Sequence, residues 1–381
     1  MNDDDDGCFR YNIPRKARMF GKTVNRTCVS TLRRYSTAAT EKLQRPPLRE
    51  IFPKKKFINR QLFDLDSRLT YRKLLPIYEK VYRGIDEGET PENDISSLVD
   101  GSDLLIMKKA LEKYRIYSNT INRNLVQLEN QLVEKAAEHG NNDAIALLAF
   151  ETLTTMDQTI LNEGDKPYAK ELIKNLYLLN HPLSIKLLGD LSLKYQQFKH
   201  AKQYYLEFLE LESDTVLSGE VYKQLGMLCF TQEANLHDAK LYFLQSIKFA
   251  PLDKTLESHY FLGEIYLATD PELAKYHLQL AASKSFRQAF KSLGFLELNY
   301  FNNFVNSREW FKMGVEVQDY DCLIGLFDTF YKFGKRKEAI KTLKSIRNVF
   351  NEKNKNQEVF TGFLESRGNE IKDLIGKDDT N

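Results

Sequence analysis

Nothing in the 381 residues approaches the run of roughly 18 apolar side chains that a membrane-spanning helix needs, so the chain can at most lie on a membrane. Cysteine is scarce. Cys8 and Cys28 sit near the N-terminus, Cys229 and Cys322 fall on predicted helices, and no C-x-x-C occurs, which points to a reducing compartment or one where disulfides are not needed. Also missing are a phosphate-cradling glycine loop, a G-x-S-x-G elbow and a setting for a cysteine nucleophile. The six histidines (His139, His181, His200, His237, His259, His277) include no pair at the close helical spacing of a metal site. His259 and His277 do fall on helices of one repeat pair, where packed or solvated imidazoles are the plain reading. A non-enzymatic chain is expected, with no metal and no cofactor.

One absence is local. From Gly7 to Thr40 there is no acidic residue, while Arg10, Arg15, Lys16, Arg18, Lys22, Arg26, Arg33 and Arg34 are basic and Ser and Thr are frequent. That is the composition of a mitochondrial transit peptide, here expected over residues 1–35. "RRYSTA" resembles a matrix-peptidase site, with a cut between Tyr35 and Ser36. The acidic run Asp3 to Asp6 does not fit such a leader, and Met19 offers a second initiation point. Without residues 1–35 the chain carries 47 basic and 49 acidic side chains, a balance with no electrostatic footprint for nucleic acid.

What is present is a repeat. Leu148, Leu188, Leu225, Leu262, Leu293 and Leu326 recur at intervals of 40, 37, 37, 31 and 33, each followed by a small or apolar residue (Ala149, Gly189, Gly226, Gly263, Gly294, Phe327). A second register follows, of small residues Ala169, Ala201, Ala239, Ala274, Ser307 and Ala339, each with an apolar side chain four positions on: Ile173, Tyr205, Phe243, Leu278, Phe311 and Leu343. Residues i and i+4 share a helix face, so each unit reads as two amphipathic helices, A and B. The Leu-Gly pair allows close approach, and the small residue of helix B is expected to accept an opposing aromatic. Glycine inside a helix costs about 1 kcal/mol against alanine, which points to a steric need at that register. Neither helix can bury its face alone; stacking supplies the missing surface.

These residues resemble tetratricopeptide and Sel1-like repeats. "VYKQLGMLCFTQEANLHDAKLYFLQSIKFAP" is similar to the former, and "AAEHGNNDAIALLAF" and "REWFKMGVEVQDYDCLIGLFDTFY" to the latter. The resemblance implies an all-α, right-handed α-solenoid over residues 136–350. Ahead of it we expect a Pro- and Lys-containing linker at 36–60 and an N-terminal helical region at 61–135. In that region one helix is placed near Ser67 to Tyr82, a loop at Gly84 to Asp103, and a second helix capped at Ser102 or Asp103. After the repeats, a last amphipathic helix within 351–381 is expected to cap the stack.

In helical-pair solenoids the inner face is made mainly of A helices, which makes Lys186, Asp190, Lys223, Met227, Tyr260, Glu264, Lys291 and Phe295 candidates for a protein-binding groove. Trp310, Phe311 and "FLELNYFNNF" form the densest aromatic cluster, read as core. Lys54, Lys55, Lys56 and Arg60 are candidates for contact with an anionic membrane surface.

Longer stretches narrow the resemblance: "EIFPKKKFINRQLFDLDSRLTY", "AAEHGNNDAIALLAF", "LGFLELNYFNNF" with "REWFKMGVE", and "FLESR". They are similar to a family of fungal mitochondrial factors required for export of the C-terminal tail of cytochrome c oxidase subunit 2. The resemblance implies a peripheral protein on the matrix side of the inner membrane, with the subunit 2 tail and an Oxa-type insertase as partners. An RNA-binding helical-repeat factor is the alternative, disfavoured by the charge balance, and an enzyme is third.

Overall fold

The computed structural model describes residues 45–87, 95, 98–155, 164–352 and 357–376, and among these every regular element is an α-helix. The expected leader lies outside the described residues. The chain forms two compact units, one ending at Ser184 and one beginning at Ile185.

The first unit contains α1 (Leu48–Ile51), α2 (Lys55–Asp64), α3 (Tyr71–Glu87), α4 (Gly101–Ser118), α5 (Arg123–Glu138), α6 (Asn142–Thr154) and α7 (Asp165–Leu178). The stretch expected as a linker is partly helical. Ile58, Gln61 and Leu62 recur at helical spacing and are buried, so α2 has an apolar face to pack. The cap of helix α4 falls two to three residues earlier than expected: Asp100 is the N-cap, and Asp103 returns its carboxylate to the Asp100 amide in a capping box. Arg68 braces that cap, with Nη2 2.5 Å from carboxylate oxygens of both Asp100 and Asp103. The expected loop shortens at its start, because residues 84–87 complete α3. At the centre the buried Tyr78 hydroxyl donates to the Met107 carbonyl at 2.8 Å.

The second unit is a run of antiparallel hairpins. Its helices are α8 (Pro182–Lys194), whose first residues belong to the preceding unit, α9 (Phe198–Leu211), α10 (Val216–Thr231), α11 (Leu236–Phe249), α12 (Leu252–Tyr266), α13 (Pro271–Ala282), α14 (Arg287–Asn299), α15 (Phe304–Glu316), α16 (Asp321–Lys332) and α17 (Arg336–Glu352). Each A–B turn in the middle of the stack ends on the same device. The side chains of Asn235, Asp270 and Asn303 accept from the amides of Asp238, Leu273 and Asn306, capping α11, α13 and α15. Such a cap is worth about 1 kcal/mol.

The glycine register has a direct steric cause. A Cβ at Gly189 or Gly226 would lie 2.5 Å from the Tyr205 ring or 2.7 Å from the Phe243 ring, and Gly263 and Gly294 face Leu278 and Phe311 in the same way. The acceptor of the bulky side chain is therefore the glycine of helix A, rather than the small residue of helix B. Tyr205, Phe243, Leu278 and Phe311 are all fully buried. Phe311 is covered twice, since Gly325 of the following A helix also faces its ring. Phe295 meets Phe311 edge-on at 4.9 Å, and Trp310 lies half-buried beside Phe290, so these rings are core, whereas Tyr300 of the same cluster is exposed.

The cap after α17 is two helices, α18 (Gln357–Ser366) and α19 (Gly368–Gly376). The break falls at Arg367, ahead of the poor helix former Gly368, where the Ser366 hydroxyl turns back to the Gly362 and Phe363 carbonyls. Phe363 packs edge-on against Phe327, and Arg367 grips Asp328 through two nitrogens at 3.2 and 2.9 Å.

Candidate protein-binding cleft

Successive A helices of the second unit are tied by a charge register. The residue two before the repeat leucine meets the residue five before the next one: Lys186 with Glu220 at 3.5 Å, Lys223 with Glu257 at 2.6 Å, and Lys291 with Asp321 at 3.1 Å. The step from α12 to α14 departs from it. There Tyr260 replaces lysine and packs against Phe286 with ring centroids 5.3 Å apart. Glu264 accepts from the Ser292 hydroxyl at 2.5 Å, so this step is also bridged.

Between α8, α9, α10 and α12 the first two of these pairs, Lys186–Glu220 and Lys223–Glu257, border a cleft of about 570 Å³. Its charged members neutralise one another. Lys186 Nζ is 2.8 Å from Asp190, Glu220 also accepts from Lys254, and the Tyr205 hydroxyl donates to Asp190 at 2.7 Å. Burial works against the Lys186 charge, yet Asp190 and Glu220 outweigh it and hold the ammonium above its usual pKa. Burial likewise pushes the Glu220 carboxyl up, but the hydrogen bond from Lys254 and the charge of Lys186 leave it below its usual range. Leu193, Leu256 and Phe286 give the cleft apolar wall, and Gln224 supplies an amide. Electrically the cleft is close to balanced, with an apolar side and hydrogen-bonding groups, which suits an uncharged stretch of polypeptide better than a polyanion.

Three of the eight sequence candidates, Lys186, Asp190 and Lys223, line this cleft. The other five lie outside its lining. Met227 and Phe295 pack against hydrophobic clusters of the core, and Tyr260 packs against Phe286 and the cluster around Phe290 and Leu293. Lys291 is spent on Asp321 and Glu264 on Ser292. Sequence reasoning missed Glu220, Glu257, Asp253 and Lys254. The signal was available: Lys186, Glu220 and Lys254 stand 34 residues apart, as do Lys223 and Glu257.

The histidine pair is real but carries no further ligand. His259 and His277 approach Nδ1 to Nδ1 at 2.9 Å inside the α12–α13 hairpin, and among the described residues no group of three or more His, Cys, Asp and Glu could hold a metal ion. Burial, then the neighbouring ring, pushes the His259 pKa down to about 4, and burial lowers that of His277. The thiols of Cys229 and Cys322 are buried, which raises them to about 11 and about 12 and removes nucleophilic character. In the first unit Lys54, Lys55, Lys56 and Arg60 are all exposed around the start of α2, and among the described residues no helix is long and apolar enough to cross a membrane.

A family profile described as the MSS2 N-terminal domain matches residues 44–141, from within the expected linker through α5. The chain is 37% identical over 326 residues to Protein MSS2, mitochondrial, of Saccharomyces cerevisiae, covering 85% of this chain and 93% of that one. Among solved structures, it is similar to a Sel1 repeat protein from Oxalobacter formigenes (17% identical, 67% of this chain and 96% of that one, TM-score 0.40). It is also similar to yeast Tom70 (14% identical, 93% and 73%, TM-score 0.41).

Proposed function

Because the chain belongs to the MSS2 family, whose yeast member is a mitochondrial protein, we propose that it is a non-enzymatic assembly factor attached peripherally to the matrix side of the inner membrane. In this reading it supports export of the C-terminal domain of cytochrome c oxidase subunit 2, working beside an Oxa-type insertase. The observation that carries the reading is the 37% identity running through both units rather than through the repeats alone. The cleft supports it physically. Its lysines are already paired, its wall carries Leu193, Leu256 and Phe286, and Gln224 can hydrogen-bond an extended backbone, so an unfolded tail is a fitting occupant.

Two measurements test it. In mitochondria lacking the gene, the subunit 2 tail should stay out of reach of protease added to the outer face of the inner membrane; a tail cut as in wild type refutes the role. A photo-crosslinker at Gln224 should trap newly made subunit 2 or the insertase, and trapping of transcript instead would favour the RNA-binding alternative.

A further inference from the structure

The turn between α4 and α5 exposes a contiguous apolar tip that, among the described residues, no helix of its own unit covers. Ile116, Tyr117 and Ile121 are 71%, 76% and 84% exposed. Single exposed apolar residues are ordinary on protein surfaces; three within six positions, on one turn, are not. The turn is a built feature: Asn119 takes a left-handed conformation (φ 48°), the Ser118 and Thr120 hydroxyls meet at 2.8 Å, and Asn122 caps α5. The tip joins the start of α2 through Phe57, whose ring lies 5.2 Å from Tyr117 and 5.3 Å from Tyr114.

Charge settles what such a tip fits. Residues 51–63 contain Lys54, Lys55, Lys56 and Arg60 and no acidic residue, and residues 113–128 contain Lys113, Arg115 and Arg123 and again none. Arg115 is engaged by Glu129, while Lys54, Lys55, Lys56, Arg60 and Arg123 are exposed. Glu112 pairs with Lys108, and Asp64 lies at the far end of α2, which leaves Glu50 of α1 as an exposed carboxylate beside the five exposed cations. An aromatic and two isoleucines ringed by exposed cations match the headgroup boundary of an anionic bilayer, where tyrosine sits at the interface and lysine stems lie along apolar surface with their charges in water.

We propose that the α4–α5 turn inserts Ile116, Tyr117 and Ile121 into the headgroup region of an anionic bilayer, with Lys54, Lys55, Lys56, Arg60 and Arg123 as the surrounding cationic collar. This rests on the peripheral-attachment part of the reading above and supplies its mechanism. Each basic residue held near such a surface strengthens binding about fivefold.

The test places a reporter at the tip itself, because the basic stretch before Thr40 could bind vesicles on its own. In the full chain with Trp310→Phe, Ile121→Trp makes residue 121 the single tryptophan. Vesicles of phosphatidylcholine with 30% cardiolipin should shift its emission to the blue, and brominated acyl chains should quench it; pure phosphatidylcholine should do neither. Tyr117→Asp with Ile116→Ser, both at exposed positions that leave the core untouched, should cut flotation with the anionic vesicles at least tenfold. A tryptophan at 121 that stays unquenched, whether or not the protein floats, overturns the proposal. So does a collar-neutralised chain (Lys55→Gln, Lys56→Gln, Arg60→Gln) whose tryptophan is quenched as fully as before. The vesicles contain no protein, so failure here leaves the cleft reading standing, and an empty Gln224 crosslink leaves this one standing.

Discussion

Tyr205 joins the packing of a hairpin to the chemistry of the cleft: its ring fills the space above Gly189, and its hydroxyl donates to Asp190 at 2.7 Å. Burial, reinforced by the Asp190 carboxylate, raises the phenol pKa far above its usual value, so the hydroxyl remains a donor throughout the physiological range. Tyr205→Phe keeps the ring and loses the bond, for an expected cost of about 1–2 kcal/mol in urea unfolding. Gly189→Ala should cost more, roughly 1–3 kcal/mol, because the added methyl meets that ring and overwhelms the gain in helix propensity. The reverse order of the two would show that the ring can move aside.

Two ion pairs of similar length should differ sharply in worth. Lys223 and Glu257 are partly exposed, so Lys223→Met should lower stability by less than about 1 kcal/mol, and the small effect should shrink in high salt. Glu297 is fully buried between α13 and α14. Lys275 lies 2.8 Å from its Oε1 but off the hydrogen-bond direction, and neither carboxylate oxygen has an aligned donor. Lys275→Met leaves that charge without compensation and should cost roughly 3 kcal/mol. Adding Glu297→Gln should restore much of the loss, which chemical denaturation of the single and double variants would measure.

The His259–His277 pair makes a pH prediction. Folding lowers both pKa values, His259 to about 4, so between pH about 6.5 and 4 the unfolded chain binds more protons than the folded one. Stability is then fully present above about 6.5 and is lost as pH falls toward 4, by roughly 3 kcal/mol for His259 alone. The urea midpoint of the wild type should decline over that window. The doubly substituted His259→Leu, His277→Leu chain should lose less over it, and equal declines would contradict the assignment.

Arg367 fastens the C-terminal helices to the last hairpin through Asp328. Arg367→Ala should open α18 to hydrogen exchange and limited proteolysis well before the hairpins unfold, since the apolar contacts of Phe363, Ile371 and Leu374 and the bond from Arg336 to the Asp373 carbonyl in α19 then hold the cap without the Asp328 anchor. Uniform exchange rates across the second unit would refute separate release.

Much of the fold was legible because it is written in spacing. Six leucines gave six hairpins, and the glycines beside four of them marked close approach. The N-terminal helices were placed less well. Ile58 and Leu62 sit among Lys55, Lys56 and Arg60, whose charges obscure a face that becomes apolar only when folded. The cleft was half-visible. Lys186, Asp190 and Lys223 follow from their register, but whether a side chain lines a cavity or bonds the next repeat depends on which residue the neighbouring helix presents, and Met227 and Phe295 were drawn into the core by aromatic partners one helix away. The fold-back of lysine onto the next repeat was recoverable only by comparing positions 34 apart.

Phe311 held between Gly294 and Gly325 limits how such a protein can change length. In the second, third and fourth hairpins Tyr205, Phe243 and Leu278 each fill the space over a glycine of the same hairpin, so each of these packings is complete within one repeat. The fifth is not: its ring depends on a vacancy in the sixth as well, and any exchange that moves one without the other leaves either a collision or a void. The last two hairpins therefore pack as one piece.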